Sequence, residues 1–236
     1  LKIAVCTESP IHTKISDEAR QAVTNAVTFL AQEGQEIIEI NYPLDGRALI
    51  QSYYQMNGAE TASMIHSIES GLGRPVAQNE LEPISWVLLE YGKKVSAANY
   101  IQSLHVWDHA AITMEELFQT VDLFLSPTTA FTAPEISTDL QSDEIRAKMA
   151  GINECNEQES LAVISEMFEE SLKITPYTQL ANLTGQPAIS LPTHISEEGL
   201  PLGIQFMAAR GREDLLFQIG EIFENHQKFY LPPSYQ

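Results

Sequence analysis

The chain has 236 residues, of which 44% are hydrophobic and 19% are charged, which is ordinary for a globular domain. Its net charge of −19 repels phosphate backbones, so nucleic-acid binding is not expected. The longest apolar runs are of strand length, so we expect no membrane span. No signal-peptide pattern is present, and the two cysteines, Cys6 and Cys155, do not make a disulfide framework. We therefore expect a cytoplasmic protein.

The first forty residues predict a strand–helix–strand unit. Residues 1–6 (LKIAVC) form a short apolar run that is typical of a buried strand. Residues 17–33 place apolar side chains at helical spacing, with Ser16 as the N-cap and Gly34 at the end of the helix. The next strand is EIIEI. Two parallel strands joined by a helix form a crossover unit, which indicates α/β architecture.

The middle of the chain is mostly helical in its pattern. Three helices are predicted between residues 45 and 120, over residues 49–68, 83–91 and 97–120, and Gly71, Gly73 and Pro75 should break the first. A strand, VDLFL, then leads into the loop SPTTAFTAP. Residues 139–172 are acidic and predict helical segments that end near Ala150 and Leu172.

The C-terminal part predicts two buried strands, AISLP and LGIQF, each close to a proline and separated by a polar loop at residues 193–199. A last helix is predicted over residues 214–224. Because no linker divides the chain, residues 1–236 are expected to belong to a single α/β domain, with a mixed sheet flanked by helices on both faces.

Several segments, in order, carry a resemblance to a known family. They are LKIAVCTESP followed by a helix, DLFLSPTTAFTAP with a D-x-x-L-x-P-T pattern, TPYTQLANLTGQPAISLP, and GLPLGIQF followed by ARGRED. Together they span nearly the whole chain, and they resemble the C-terminal half of the amidase signature family. Among its members, the chain looks most similar to bacterial amidases that open cyclic or linear aminohexanoate amides.

The resemblance implies hydrolysis of the C–N bond of a small, largely apolar amide through a Ser–Ser–Lys acyl-enzyme mechanism, without a cofactor. In the family the catalytic groups lie in a Gly- and Ser-rich signature of the N-terminal half, and this sequence contains no such run. We therefore assign no catalytic residue. The chain begins with Leu1 on a strand, and we expect it to be a C-terminal fragment that is inactive without the missing half.

Five residues are the candidates for the substrate-binding wall. The family places substrate-side residues around TPYT, here Thr175, Tyr177 and Thr178, and Thr128 and Thr129 follow a predicted strand. Loops beyond strand ends commonly form ligand clefts in α/β sheets. The alternative is that Tyr177 is a core aromatic and that the threonines cap turns.

Other functions remain as alternatives at this point. The chain could be a non-catalytic α/β domain that binds a ligand or partner, or an A-subunit-like part of a tRNA amidotransferase, although that enzyme is expected to have a carboxylate near Thr175. His105 and His109 are four residues apart, but no third ligand follows at a spacing typical of metal-binding motifs, so no metal is expected. Ser190 lies outside any nucleophile motif and receives no role.

The expected partners are the small amide substrate, the missing N-terminal half and, through self-association, a second copy. Cutting a sheet leaves apolar faces and an unpaired strand edge, and such surfaces invite pairing with another chain. We expect this open face near residues 1–5 or 188–192.

Overall fold

The computed structural model describes residues 1–230. All five predicted strands are confirmed: β1 (Lys2–Val5), β2 (Glu36–Glu39), β3 (Leu123–Pro127), β4 (Ala188–Ile195) and β5 (Pro201–Ala208). They form one mixed sheet in the order β2-β1-β3-β5-β4. Strand β1 is parallel to β2 and β3, whereas β5 is antiparallel to β3 and β4.

Residues 1–230 also contain eight α-helices: α1 (Asp17–Gln32), α2 (Gly46–Leu72), α3 (Pro83–Gly92), α4 (Ala97–Phe118), α5 (Asp143–Ala150), α6 (Glu157–Ile174), α7 (Gln179–Thr184) and α8 (Glu213–Asn225). Helix α7 was not predicted, because six residues are too few to show a helical period. Helix α2 continues through Gly71, and Gly73, with a φ of +67°, follows its end. No helix in the described part of the chain is long and apolar enough to cross a membrane.

The chain forms two compact units. The first contains Leu1–Gly46, Asp108–Thr138 and the described residues from Lys173 onward, and the second contains Arg47–Trp107 and Asp139–Leu172. Each unit is assembled from separate segments of the chain. No single linker therefore exists that the sequence composition would reveal.

The core of the first unit lies between the sheet and the helices α1 and α8. Ser16 caps α1 as predicted, accepting a hydrogen bond of 3.1 Å from the backbone N–H of Ala19. Burying a large apolar side chain contributes about 1.5–3 kcal/mol each. The buried side chains of this cluster include Ile3, Val5, Ala22, Val23, Leu30, Leu123, Leu125, Ile204, Phe206, Ile219 and Phe223.

The structure corrects the predicted burial of β4 and decides between the two predicted locations of the open face. Residues 188–192 were predicted to be fully buried, but β4 pairs only with β5 in the described chain, and Ala188 and Ser190 are exposed. Residues 1–5 were one predicted location of an open face, but β1 lies between β2 and β3, and Ile3 and Ala4 are fully buried. The open strand edge is therefore that of β4, which also extends to Ile195, into the residues predicted as a loop.

The second unit is helical, and its helices are joined by polar contacts as well as by apolar packing. The Nζ of Lys94 donates to the carbonyl of Ile152 at 2.7 Å and lies 3.2 Å from the Oγ of Ser160. The indole N–H of Trp107 donates to the Oγ of Ser52 at 2.8 Å. These bonds connect segments of the unit that are more than fifty residues apart in sequence.

Candidate substrate-binding site

The two predicted substrate-side segments lie side by side in the first unit. The backbone N–H of Ala130, in the loop after β3, donates to the carbonyl of Ile174 at 2.8 Å. Thr128 and Thr129 precede Ala130, and Thr175 follows Ile174. The structure thus brings together two candidate segments that are more than forty residues apart in sequence.

The two threonines of the β3 loop have different surroundings. The hydroxyl of Thr129 donates to the carbonyl of Phe131 at 2.8 Å, which is the turn-capping role given as the alternative. The Oγ1 of Thr128 lies 2.7 Å from the Oγ of Ser190 on β4, and its backbone N–H donates to the carbonyl of Gly203 on β5. Thr128 is therefore the threonine that faces a neighbouring strand.

The residues around TPYT differ in exposure. Thr178 is exposed at the start of α7, and the carbonyl of Thr175 accepts a bond of 2.8 Å from the side chain of Gln179. Tyr177 is only 2% exposed and belongs to the apolar core. Burial raises the pKa of its phenol, and within residues 1–230 its hydroxyl has no hydrogen-bond partner. This packing fits the core-aromatic alternative, and substrate contact by these residues stays a prediction.

A row of polar side chains crosses three strands beside Thr128. Gln205 on β5 is in register with Ser126 on β3 and with Ser190 on β4. Residues directly opposite each other in an antiparallel pair project to the same face, so these three side chains share one face of the sheet. We call Ser126, Gln205 and Ser190 the polar row.

The polar row was not predicted from the sequence. Ser190 received no role, and Gln205 was not a candidate. The available signal was a polar residue inside the apolar runs AISLP and LGIQF and another directly after VDLFL, because burying a polar side chain costs free energy unless it is hydrogen-bonded. The register that brings the three together is a tertiary property and is invisible in the sequence.

The hydroxyl groups of this face are not activated nucleophiles in the described chain. The Oγ of Ser126 donates to the carbonyl of Pro127, and the hydroxyls of Ser190 and Thr128 pair with each other. A serine nucleophile needs a base within hydrogen-bond reach, and among residues 1–230 none of these three hydroxyls is bonded to one. The arrangement is therefore suited to binding polar groups and not to forming a covalent intermediate.

Two larger cavities of the first unit lie elsewhere. One, of about 600 Å³, is found at the carboxyl ends of β1 and β2, and it is lined in part by Val5, Glu39 and Ile40. The other, of about 510 Å³, is lined in part by Thr193 and His194 of β4. None of the five predicted residues lines either cavity, so these cavities do not test the substrate-binding wall, which stays a prediction.

Neither metal nor thiol chemistry is indicated near this wall. Within the described residues, no group of three His, Cys, Asp or Glu side chains is placed to hold a metal ion. Cys6 is buried, and its desolvation raises the pKa of the thiol to about 11. The thiol is thus protonated at neutral pH and is a poor nucleophile.

The comparisons with known proteins agree on one family. The family described as Amidase matches residues 1–217. Lipoamidase from Enterococcus faecalis is 37% identical over 233 residues, which cover 98% of this chain and 32% of that protein. A glutamyl-tRNA(Gln) amidotransferase subunit of Akkermansia muciniphila is 29% identical over 251 residues, covering 93% of this chain and 46% of that protein.

A solved structure of 6-aminohexanoate cyclic dimer hydrolase is similar over the whole chain. It superimposes with a TM-score of 0.81 at 26% identity and covers 100% of this chain and 47% of that one. The predicted resemblance to this hydrolase and the α/β fold are thereby confirmed. The chain spans about a third to a half of the length of the proteins it matches.

Proposed function

This chain belongs to the Amidase family, and from that membership we propose that it is the C-terminal part of an enzyme that hydrolyses a small, largely apolar amide. The observation that carries the proposal is the family match over residues 1–217, together with the similarity to a lipoamidase across 98% of the chain. That relative and the cyclic dimer hydrolase are both named for the cleavage of amides.

The proposed chemistry is acyl transfer to a serine that lies outside this chain. The serine oxygen attacks the amide carbonyl, the C–N bond breaks as the amine leaves with a proton, and water then hydrolyses the acyl ester. A lysine acts as the base and a second serine relays the proton. The present chain contributes one wall of the acyl pocket, for which Thr128, Thr129, Thr175, Tyr177 and Thr178 are the proposed contacts.

The proposed partner of this chain is the N-terminal half that carries the catalytic signature. Two observations support it. The chain spans less than half the length of the proteins it matches, and the outer edge of β4 has no neighbouring strand among residues 1–230. Unpaired strand edges present backbone N–H and C=O groups that another strand can bind. In the isolated chain the same edge is expected to support self-association.

An amidotransferase function is less well supported than an amidase function. The amidotransferase relative is 29% identical to this chain, against 37% for the lipoamidase. The sequence also has Thr175 where an amidotransferase is expected to place a carboxylate for the amino group of glutamine. A threonine hydroxyl does not provide the negative charge that this contact needs.

The test compares the chain alone with the chain joined to an upstream half that carries the Gly- and Ser-rich signature. We expect the joined protein to hydrolyse hexanamide and to react with a fluorophosphonate at one serine of the upstream half. The chain alone should do neither. Stoichiometric labelling of Ser126 or Ser190 in the isolated chain, or a folded joined protein without amidase activity, would contradict the proposal.

A further inference from the structure

The centre of the polar row is a glutamine whose hydrogen-bonding capacity is unused. Gln205 is 5% exposed, yet its side-chain amide forms no hydrogen bond with the residues that the structure describes. The buried polar atoms that are both unpaired and cut off from solvent belong to Trp86, Tyr91, Tyr177, Gln179, Gln186 and Thr193. The Gln205 amide is not among them, so it still reaches open space.

The neighbours of Gln205 have their own hydrogen bonds. The hydroxyl of Ser126 is 3.1 Å from the carbonyl of Pro127, and the hydroxyls of Ser190 and Thr128 are 2.7 Å apart. A hydrogen bond that replaces one to water contributes about 0.5–1.5 kcal/mol net. A group that enters from outside this face can therefore bind to the amide of Gln205, which its own chain leaves unused.

We propose that Gln205 binds the carboxamide group of the ligand through a reciprocal pair of hydrogen bonds. The Nε2–H of Gln205 donates to the ligand carbonyl, and the Oε1 of Gln205 accepts from the ligand N–H. A carboxamide is the group that satisfies both sides of a glutamine at once. As the recognition of the amide substrate, this assignment rests on the amidase function proposed above.

The surroundings favour a neutral amide over a carboxylate. A carboxylate can accept from Nε2 but places a second negative oxygen against Oε1, and the chain carries a net charge of −19. The paired hydroxyls of Ser190 and Thr128 lie at the exposed end of the row, where one hydroxyl hydrogen remains free to donate. The exposed Ala188, two residues from Ser190, leaves room for an alkyl group.

The other buried glutamine of this unit shows the contrast. The side chain of Gln186 donates to the carboxylate of Glu115 at 3.0 Å and to the carbonyl of Ala111 at 3.4 Å. It is held by its own chain, so its role is structural. Gln205 is equally buried but has no such bonds in the described residues, which is why it alone is assigned to a ligand.

The direct test follows the side-chain 15NH2 signals of Gln205 in the 236-residue chain by NMR. Hexanamide, hexanoate and hexan-1-ol are titrated separately. We expect hexanamide to shift these signals saturably and to bind about tenfold more tightly than the other two, which is the effect of one to two hydrogen bonds. Unchanged Gln205 signals with hexanamide, or equal responses to all three probes, would overturn the inference.

Variants supply a second readout. Gln205→Met keeps the length of the side chain and should lose about tenfold in affinity for hexanamide. Gln21→Met is the matched control, because Gln21 is exposed on α1 and its side-chain amide donates to Asn25, one turn further along the same helix. If Gln205→Met fails to fold, Ser190→Ala serves instead: it changes an exposed hydroxyl and should weaken hexanamide binding several-fold.

Different experimental results would contradict the role of Gln205 and the proposed amidase function. If the joined protein hydrolyses hexanamide and Gln205→Met leaves kcat/KM within twofold of the control, the inference is wrong and the function stands. If hexanamide binds at Gln205 but the joined protein has no amidase activity, the function is wrong and the amide site stands. The expected result is a tenfold fall in kcat/KM, carried mainly by KM.

Discussion

The Oε2 of Glu18 lies 2.6 Å from the Nε2 of His194, and this contact joins the first turn of α1 to the edge strand β4. The backbone N–H of Glu197 donates to the other carboxylate oxygen of Glu18 at 3.4 Å. The hydrogen bond with His194 holds the pKa of Glu18 below its ordinary value of 4.5. One carboxylate therefore connects the core helix to the end of β4 and to the turn that follows it.

This contact predicts a pH-dependent stability. A depressed pKa means that the folded state favours the ionised carboxylate, so its contribution is present above about pH 4.5 and is lost as the pH falls below that value. Glu18→Gln should lower the free energy of unfolding at pH 7, and the difference from the unmodified chain should shrink on acidification. Urea unfolding at a series of pH values measures this.

The control is Glu198→Gln, which removes one charge from an exposed position close to the same turn. Its effect on the free energy of unfolding should be small and nearly independent of pH, as is usual for exposed charges. A difference between Glu18→Gln and the unmodified chain that stays constant between pH 7 and pH 3 would contradict the linkage.

A second prediction concerns the contact of α2 with α3 inside the second unit. A Cβ added to Gly92 would overlap the backbone carbonyl of Gly58, so the two helices touch through their backbones. Because backbone cannot move aside as a flexible side chain can, Gly92→Ala should destabilise the unit by about 3 kcal/mol, the upper end of the usual cost of overpacking. Thermal and urea unfolding, followed by circular dichroism, measure the loss.

Gly71→Ala is the matched control for that substitution. Gly71 also lies in α2, but a Cβ there would meet nothing within 4 Å. Alanine is favoured over glycine in a helix by about 0.8–1 kcal/mol, so this variant should be as stable as the unmodified chain or more so. If both variants lose stability equally, the close approach of Gly58 and Gly92 is not the cause.

The two cysteines should differ sharply in reactivity. Cys6 is 2% exposed, and burial raises the pKa of its thiol to about 11, whereas Cys155 is partly exposed. Because the thiolate is the reactive form, iodoacetamide at pH 8 should modify Cys155 first and Cys6 only after unfolding. Peptide mass spectrometry with and without denaturant measures the order. Early modification of Cys6 would show that its strand opens readily.

The secondary-structure elements that depend on local sequence pattern were predicted from the sequence. Short apolar runs located all five strands, and helical spacing located α1 with its Ser16 cap. The exposure of β4 could not be predicted, since a strand is buried or exposed according to which strands lie beside it. The same holds for the site: motif resemblance proposed Thr128, but the register that places Gln205 opposite Ser126 and Ser190 depends on pairing β5 with β4 and with β3, which lies some eighty residues earlier.

The last prediction tests the geometry of the face that carries the polar row. A Cβ on Gly203 would lie 2.7 Å from the Oγ of Ser190 and 3.1 Å from the Oγ1 of Thr128. Gly203→Ala should therefore separate the paired hydroxyls and cost about 1–3 kcal/mol of stability. Ser190→Ala removes the nearer oxygen, so the double variant should be less destabilised than the sum of the two single variants by at least about 0.5 kcal/mol. Urea unfolding of the unmodified chain, the two single variants and the double variant measures this double-mutant cycle. Strictly additive effects would show that the glycine is not required for the close approach of these strands.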